Sequence, residues 1–273
     1  MNIIFSRTVL ILLALLVGCA TSPTGRSQLM LVSPDEAISA SKQAYLQTLQ
    51  PLAREGKIDS DPQMARRVRT ITGRIISQAT ALYPDTADWD WSIKVIDDPE
   101  IVNAWCMAGG KMAVYTGLIN KVKPTDDELA QVLAHEISHA LANHTAERMS
   151  VALASQLGIM TVGLATSGSR YGGAALSGSA LAAALAIQLP NSRTAETEAD
   201  VMGMELAARA GYNPYAAASL WKKMEQVGGT GPAEFLSTHP APVNRQVALT
   251  NLAPRYLALY RQAGFRPVYQ FKN

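Results

Sequence analysis

Two of the four histidines in this 273-residue chain stand four positions apart, in His135-Glu136-Ile137-Ser138-His139. Side chains at that spacing share one helix face, with Cβ atoms roughly 5–6 Å apart. Two imidazoles so placed can bind one tetrahedral zinc ion, whose bonds to nitrogen are about 2.0–2.1 Å. Glu136 stands between them, where a carboxylate can take a proton from water instead of ligating. A catalytic zinc takes three protein ligands and keeps one position open. The stretch Ser192-Arg193-Thr194-Ala195-Glu196-Thr197-Glu198-Ala199-Asp200 supplies the third candidate. Glu196 and Asp200 share a face of the helix-forming run that continues to Ala210. Glu196 would complete the ligand set with His135 and His139. Asp200 would hydrogen-bond the far nitrogen of a ligand imidazole. Glu198 projects elsewhere and reads as surface.

Several elements must position these groups. Asp126-Asp127-Glu128 precedes the histidine motif and suits a helix start, where the dipole favours acidic residues. Leu129, Val132, Leu133, Ile137, Ala140 and Leu141 then recur at helical spacing. Residues 33–55 read as a helix opened by Ser33-Pro34-Asp35-Glu36, and residues 61–82 as a second. Residues 91–97 alternate as a strand, and residues 112–116 form another, preceded by Gly109-Gly110. The glycine pair suits a hairpin turn, and an edge strand beside it can hold an extended peptide in register. Gly110, Met112, Ala113 and Val114 are therefore the candidate substrate-binding strand. Residues 149–192 carry one charge, Arg170, and are rich in small residues. Two apolar halves broken near Ser167-Gly168-Ser169 suggest a helical hairpin. Each half is short for a spanning helix, so a core hairpin or lid is favoured over membrane insertion. The expected fold is α+β, mainly helical, with a small sheet.

Four stretches, in order, carry a resemblance. They are Asn103-Ala104-Trp105 with Gly109 to Leu118, His135 to His139, Ser192 to Asp200, and Ser237-Thr238-His239-Pro240-Ala241-Pro242-Val243-Asn244-Arg245. Over roughly residues 25–252 the chain resembles the zinc metallopeptidases that include HtpX and the CAAX prenyl proteases (peptidase family M48). It is most similar to their periplasmic lipoprotein branch, to which LoiP and BepA belong. The resemblance implies a gluzincin-like fold, one Zn²⁺ per chain, and endopeptidase action on unfolded or misassembled envelope proteins. It also implies contact with outer-membrane assembly machinery. Ligand roles fall on His135, His139 and Glu196, and the base role on Glu136. His239 is implied to lie near the metal, either stabilising a developing oxyanion or capping zinc as a removable fourth ligand. An imidazole can do both, donating from a protonated nitrogen or ligating through a free one. Arg245 would support the site by pairing with a carboxylate there; a backbone carbonyl or an ordinary packing role suits it equally. His144, five residues past His139, is rotated off the ligand face and reads as helix surface or support. The alternative function is a chaperone-like envelope lipoprotein with a latent zinc site; an intact Glu136 favours the enzyme.

The N-terminus suggests a location. Residues 1–18 hold one basic residue, Arg7, and an apolar run over 9–17, then Gly18-Cys19. This pattern describes a secretory signal. The cysteine that follows resembles a bacterial lipobox, in which Cys19 is lipidated and residues 1–18 are removed. Ala20 after it resembles sorting to the outer membrane, facing the periplasm. Acyl chains then anchor the protein without a spanning helix. Residues 19–31 are polar and small and read as a tether, leaving 32–273 as the metallopeptidase domain. With Cys19 acylated, Cys106 lacks an intrachain cysteine partner, and is either a buried apolar residue or a reactive thiol near the cleft. A net charge of +2 offers no basic excess for nucleic acid.

Overall fold

The computed structural model of the chain describes residues 19–166, 191–227, 234–240, 244–264 and 266–272. Capping residues set the helix starts. Ser33 opens α1 (Pro34–Arg54) in a capping box with Glu36. Asp61 opens α2 (Pro62–Leu82), accepting from the backbone N–H groups of Gln63 and Met64. These two helices match the sequence expectation to within a residue.

A three-stranded sheet follows. It contains β3 (Ser92–Ile96), β4 (Ala104–Met107) and β5 (Lys111–Tyr115), in the order β3-β5-β4. β5 runs parallel to β3 and antiparallel to β4. Gly109 and Gly110 turn the chain from β4 to β5 with φ of 76° and 75°. A Cβ on Gly110 would lie 2.2 Å from the Trp91 ring, so the turn needs glycine for space as well as conformation. This order corrects the expectation for the substrate strand. Met112, Ala113 and Val114 lie on β5, which is paired on both sides, and Gly110 belongs to the turn. A strand already paired twice has no free backbone row for a peptide. The outer strands are β3 and β4, and β4, which adjoins the helix that carries His135 and His139, has no second partner strand among the described residues.

A second correction concerns the N-terminus. Residues 19–29 are not a loose tether: β1 (Cys19–Thr21) and β2 (Ser27–Leu29) form an antiparallel hairpin. Gln28 is buried there, donating to the Ala142 carbonyl at 2.8 Å and to Glu147 at 2.9 Å. The segment looks like a tether because it docks through hydrogen bonds, and polar composition does not distinguish docking from solvation.

After α3 (Thr116–Val122), the central element is α4 (Asp126–Leu141), opened by a capping box between Thr125 and Glu128. Every residue from Glu128 to Leu141 is buried. Helix α4 packs against β4, α2, α6 (Arg193–Arg209) and α7 (Ala216–Val227). Leu129, Leu133 and Ile137 join Val68, Ile75, Met112 and Val114 in one apolar core. α6 comes close at Gly203, where a Cβ would lie 2.8 Å from the His135 backbone nitrogen. The chain continues through α5 (His144–Thr166), which precedes α6, and then α8 (Glu234–Thr238) and α9 (Arg245–Gln262). The second half of the expected hairpin in 149–192, and the expected signal in 1–18, lie outside the described residues. Among the described residues no helix is long and apolar enough to cross a membrane.

Candidate metal centre

Three elements bring four donors together. His135 and His139 project one turn apart from α4, Glu196 from the first turn of α6, and His239 lies just after α8. Ser192 caps α6 by accepting from the Ala195 N–H, which fixes where Glu196 leaves the backbone. All four side chains are buried, and their donor atoms lie within 4.8 Å of one another. His135 Nε2 stands 3.0 Å from His139 Nε2 and 3.3 Å from His239 Nδ1. Glu196 Oε1 stands 3.0 Å from His239 Nδ1 and 3.3 Å from His139 Nε2. Donors about 2.05 Å from a tetrahedral zinc are about 3.3 Å apart, so this set fits a single Zn²⁺. The chemistry agrees, with three nitrogens and one carboxylate, all excluded from water.

Supporting groups orient these donors. His135 Nδ1 is 3.0 Å from Asp200 Oδ1, so its N–H points there and its Nε2 is left for metal. Arg245 grips Asp200 with two bonds, Nε to Oδ2 at 2.8 Å and one terminal nitrogen to Oδ1 at 2.6 Å. Its other terminal nitrogen donates to Glu196 Oε2 at 3.0 Å, and its guanidinium lies 3.8 Å over the Trp221 ring. The buried arginine thus ties the third donor to the partner of the first. His139 Nδ1 meets His144 Nδ1 at 2.7 Å, and His144 Nε2 meets Glu198 Oε2 at 3.2 Å. Glu198 is therefore not a surface residue. It is 5 % exposed and also accepts from Thr24 and Arg26 of the N-terminal hairpin. Of the two readings of His144, the structure leaves support: it is 1 % exposed, in contact with a donor imidazole.

Glu136 lies among these groups without belonging to the donor set. Its Oε1 is buried, accepts no hydrogen bond, and lies 3.4 Å from His239 Nε2. Burial raises its carboxyl above the usual range, opposed by the charges of His239 and His135. Burial also works against ionised Glu196, yet His239, His139 and His135 together hold that carboxyl far below its ordinary range. Burial pushes His139 well below the usual imidazole value. In His135 burial acts in the same direction, but Asp200 and Glu196 outweigh it and raise the imidazole to about 9.

Two residues had no sequence signal. Asn191 places Nδ2 3.3 Å from His239 Nδ1, and Phe235 stacks on the His239 ring with centroids 4.3 Å apart. Together they fix the imidazole from two sides. Cys106 is buried on β4, its thiol pushed well above the usual value by burial and by Glu136, so it is not a reactive thiolate.

Comparison with known proteins agrees with this geometry. Relatives include the mitochondrial metalloendopeptidase OMA1 of Arabidopsis thaliana, 37% identical over 63% of this chain and 34% of that protein. Human OMA1 is 30% identical over 90% of this chain and 48% of its own length. The beta-barrel assembly-enhancing protease of Escherichia coli is 28% identical over 71% of this chain and 40% of its own length. The chain spans about half, or less, of the length of these relatives. Residues 62–253 match Peptidase family M48 and contain all four donors, Glu136, Asp200 and Arg245. The chain belongs to peptidase family M48.

Proposed function

We propose that this chain is a zinc-dependent endopeptidase, lipid-anchored at Cys19 and facing the periplasm from the outer membrane, that cuts unfolded or misassembled envelope polypeptides. The observation that carries the catalytic part is Glu136, a buried carboxylate oxygen without a hydrogen-bond donor beside four convergent donors. Leaving such a group unpaired costs stability, and groups of this kind cluster where chemistry uses them. When bound, zinc supplies a Lewis acid that polarises a carbonyl oxygen and acidifies water. The chain's own groups do the rest. Glu136, its carboxyl raised by burial, takes the proton of the attacking water and delivers it to the leaving amide nitrogen. Asp200 and Arg245 hold His135 and Glu196 in place throughout. The outer edge of β4 receives the substrate as an added extended strand, which suits an unfolded polypeptide and not a folded one.

His239 supplies a fourth donor, so the conformation described is a resting one, and the imidazole must withdraw before a substrate carbonyl can enter. That arrangement also supports a second reading, a latent assembly-binding lipoprotein, in which withdrawal never occurs. The envelope assignment rests on the lipobox-like Gly18-Cys19-Ala20 and on the resemblance to a bacterial assembly-enhancing protease. Expression of the precursor with a radiolabelled fatty acid tests the anchor. Label should enter the wild-type chain, fractionate with the outer membrane, and vanish in Cys19→Ser. Labelling that survives this change, or an inner-membrane location, contradicts the assignment.

A further inference from the structure

We propose that the N-terminal hairpin is a clasp that positions the zinc ligand His139 through Glu198 and His144. The connection is continuous. Arg26 Nε and Thr24 Oγ1 donate to the two oxygens of Glu198 at 2.8 and 2.6 Å. Glu198 Oε2 meets His144 Nε2 at 3.2 Å, and His144 Nδ1 meets His139 Nδ1 at 2.7 Å. The proton positions follow from hydrogen-bond logic. An ionised carboxylate only accepts, so His144 carries its proton on Nε2 and its Nδ1 is an acceptor. His139 must then carry its proton on Nδ1, which leaves Nε2 as a lone pair toward the metal. Glu198 thereby sets the tautomer of a ligand it does not touch.

The clasp grips more than one element. The two terminal nitrogens of Arg26 bind both oxygens of Glu147 at 2.7 and 2.6 Å, on the same helix as His144. Gln28 donates to the carbonyl of Ala142, the residue that ends the ligand helix α4. The hairpin thus joins the end of α4, the start of α5 and the first turns of α6. These are the elements that carry His139, His144 and Glu196. The partners are largely dry, with Glu198 and His144 side chains 3 % and 1 % exposed. An exposed ion pair contributes little, but here the hairpin donors are what keep the carboxylate facing His144. Linkage makes the effect reciprocal: if the hairpin tightens zinc binding, zinc tightens hairpin docking by the same factor. The inference rests on the metal centre alone and holds whatever the substrate is.

The test is zinc affinity of the full chain, read by competition with a chromophoric chelator, together with hydrogen exchange of residues 19–29. Arg26→Ala and Glu198→Gln should each weaken zinc binding by about threefold or more, with about 10–100-fold, the range for a lost direct partner of a metal ligand, as the ceiling. The double variant should lose less than the product of the two single losses, because Arg26 acts on His139 in part through Glu198. Arg26→Lys, which reaches one carboxylate but not both, should fall between. In the wild type, zinc should slow exchange across 19–29. A merely structural hairpin would lower the melting temperature of metal-free and loaded chains equally and leave the zinc affinity within twofold. That result, or exchange in 19–29 indifferent to zinc, overturns the proposal. The exchange comparison uses only the wild-type chain, so it decides the matter even if Arg26→Ala does not fold.

Discussion

His239 is the residue on which the proposed resting and working states would part. Its Nδ1 lies 3.0 Å from Glu196 Oε1 and 3.3 Å from His135 Nε2, inside the donor set, while Nε2 faces Glu136. A capping imidazole is removable, so His239→Ala should raise peptide hydrolysis of an unfolded substrate in steady-state kinetics. A fall in kcat of about 10²–10³ would instead mark an oxyanion donor. His135 gives a second prediction. In the metal-free chain its imidazole is raised from 6.5 to about 9, so the protonated form is the one that stabilises the fold. This contribution is fully present below pH about 6.5 and is lost as pH rises through about 9, amounting to at most about 3 kcal/mol. Metal replaces that proton, so thermal melting from pH 6 to 9.5 should show the loss only without zinc. Equal slopes with and without zinc would contradict this. At this scale the sequence was most informative for residues within one helical turn. His135, Glu136 and His139 announce themselves by spacing. Glu198 was misread because spacing tells which way a side chain leaves its helix and not what fills the space beyond. What fills it is Arg26, 172 positions away.

The donor geometry depends on how closely two helices approach. α4 and α6 touch through Gly203, where a Cβ would sit 2.8 Å from the His135 nitrogen and 2.9 Å from its Cα. Backbone cannot rotate away, so Gly203→Ala must push the helices apart. Overpacking of this kind costs about 1–3 kcal/mol. Because the displaced point is His135 itself, zinc affinity should fall along with stability. Calorimetric melting and chelator competition check both, and undiminished zinc affinity would show that the separation of α4 and α6 does not set the site. Helix propensity alone favours Ala over Gly at such a position, so the glycine carries a signal only once the neighbouring helix is known. Strand order was hidden in a similar way. Alternation locates β3 and the run after the glycine pair locates β5, but pairing partners are non-local, and β4 is short, buried throughout and without alternation. An edge was therefore assigned to β5, when the outer strands are β3 and β4.

Across the whole molecule, a buried helix is the frame, and segments distant in sequence close around it. α4 carries two donors and Glu136, α6 the third donor, and the stretch after α8 the fourth. The hairpin that follows Cys19 braces these from behind. The overall class, mainly helical with a small sheet, was legible because long amphipathic runs with clear caps dominate the chain. Docking of the hairpin was not, since a short segment of small and polar residues looks the same whether folded or solvated. In the proposed mechanism Glu136 acts as a base while other side chains hold the metal. The direct measurement is Glu136→Gln beside the wild type, with bound zinc determined on the same preparations that are incubated with unfolded casein. Zinc should stay near one per chain while hydrolysis is almost abolished. Identical fragment patterns from both proteins, or loss of zinc from the variant, would contradict that mechanism.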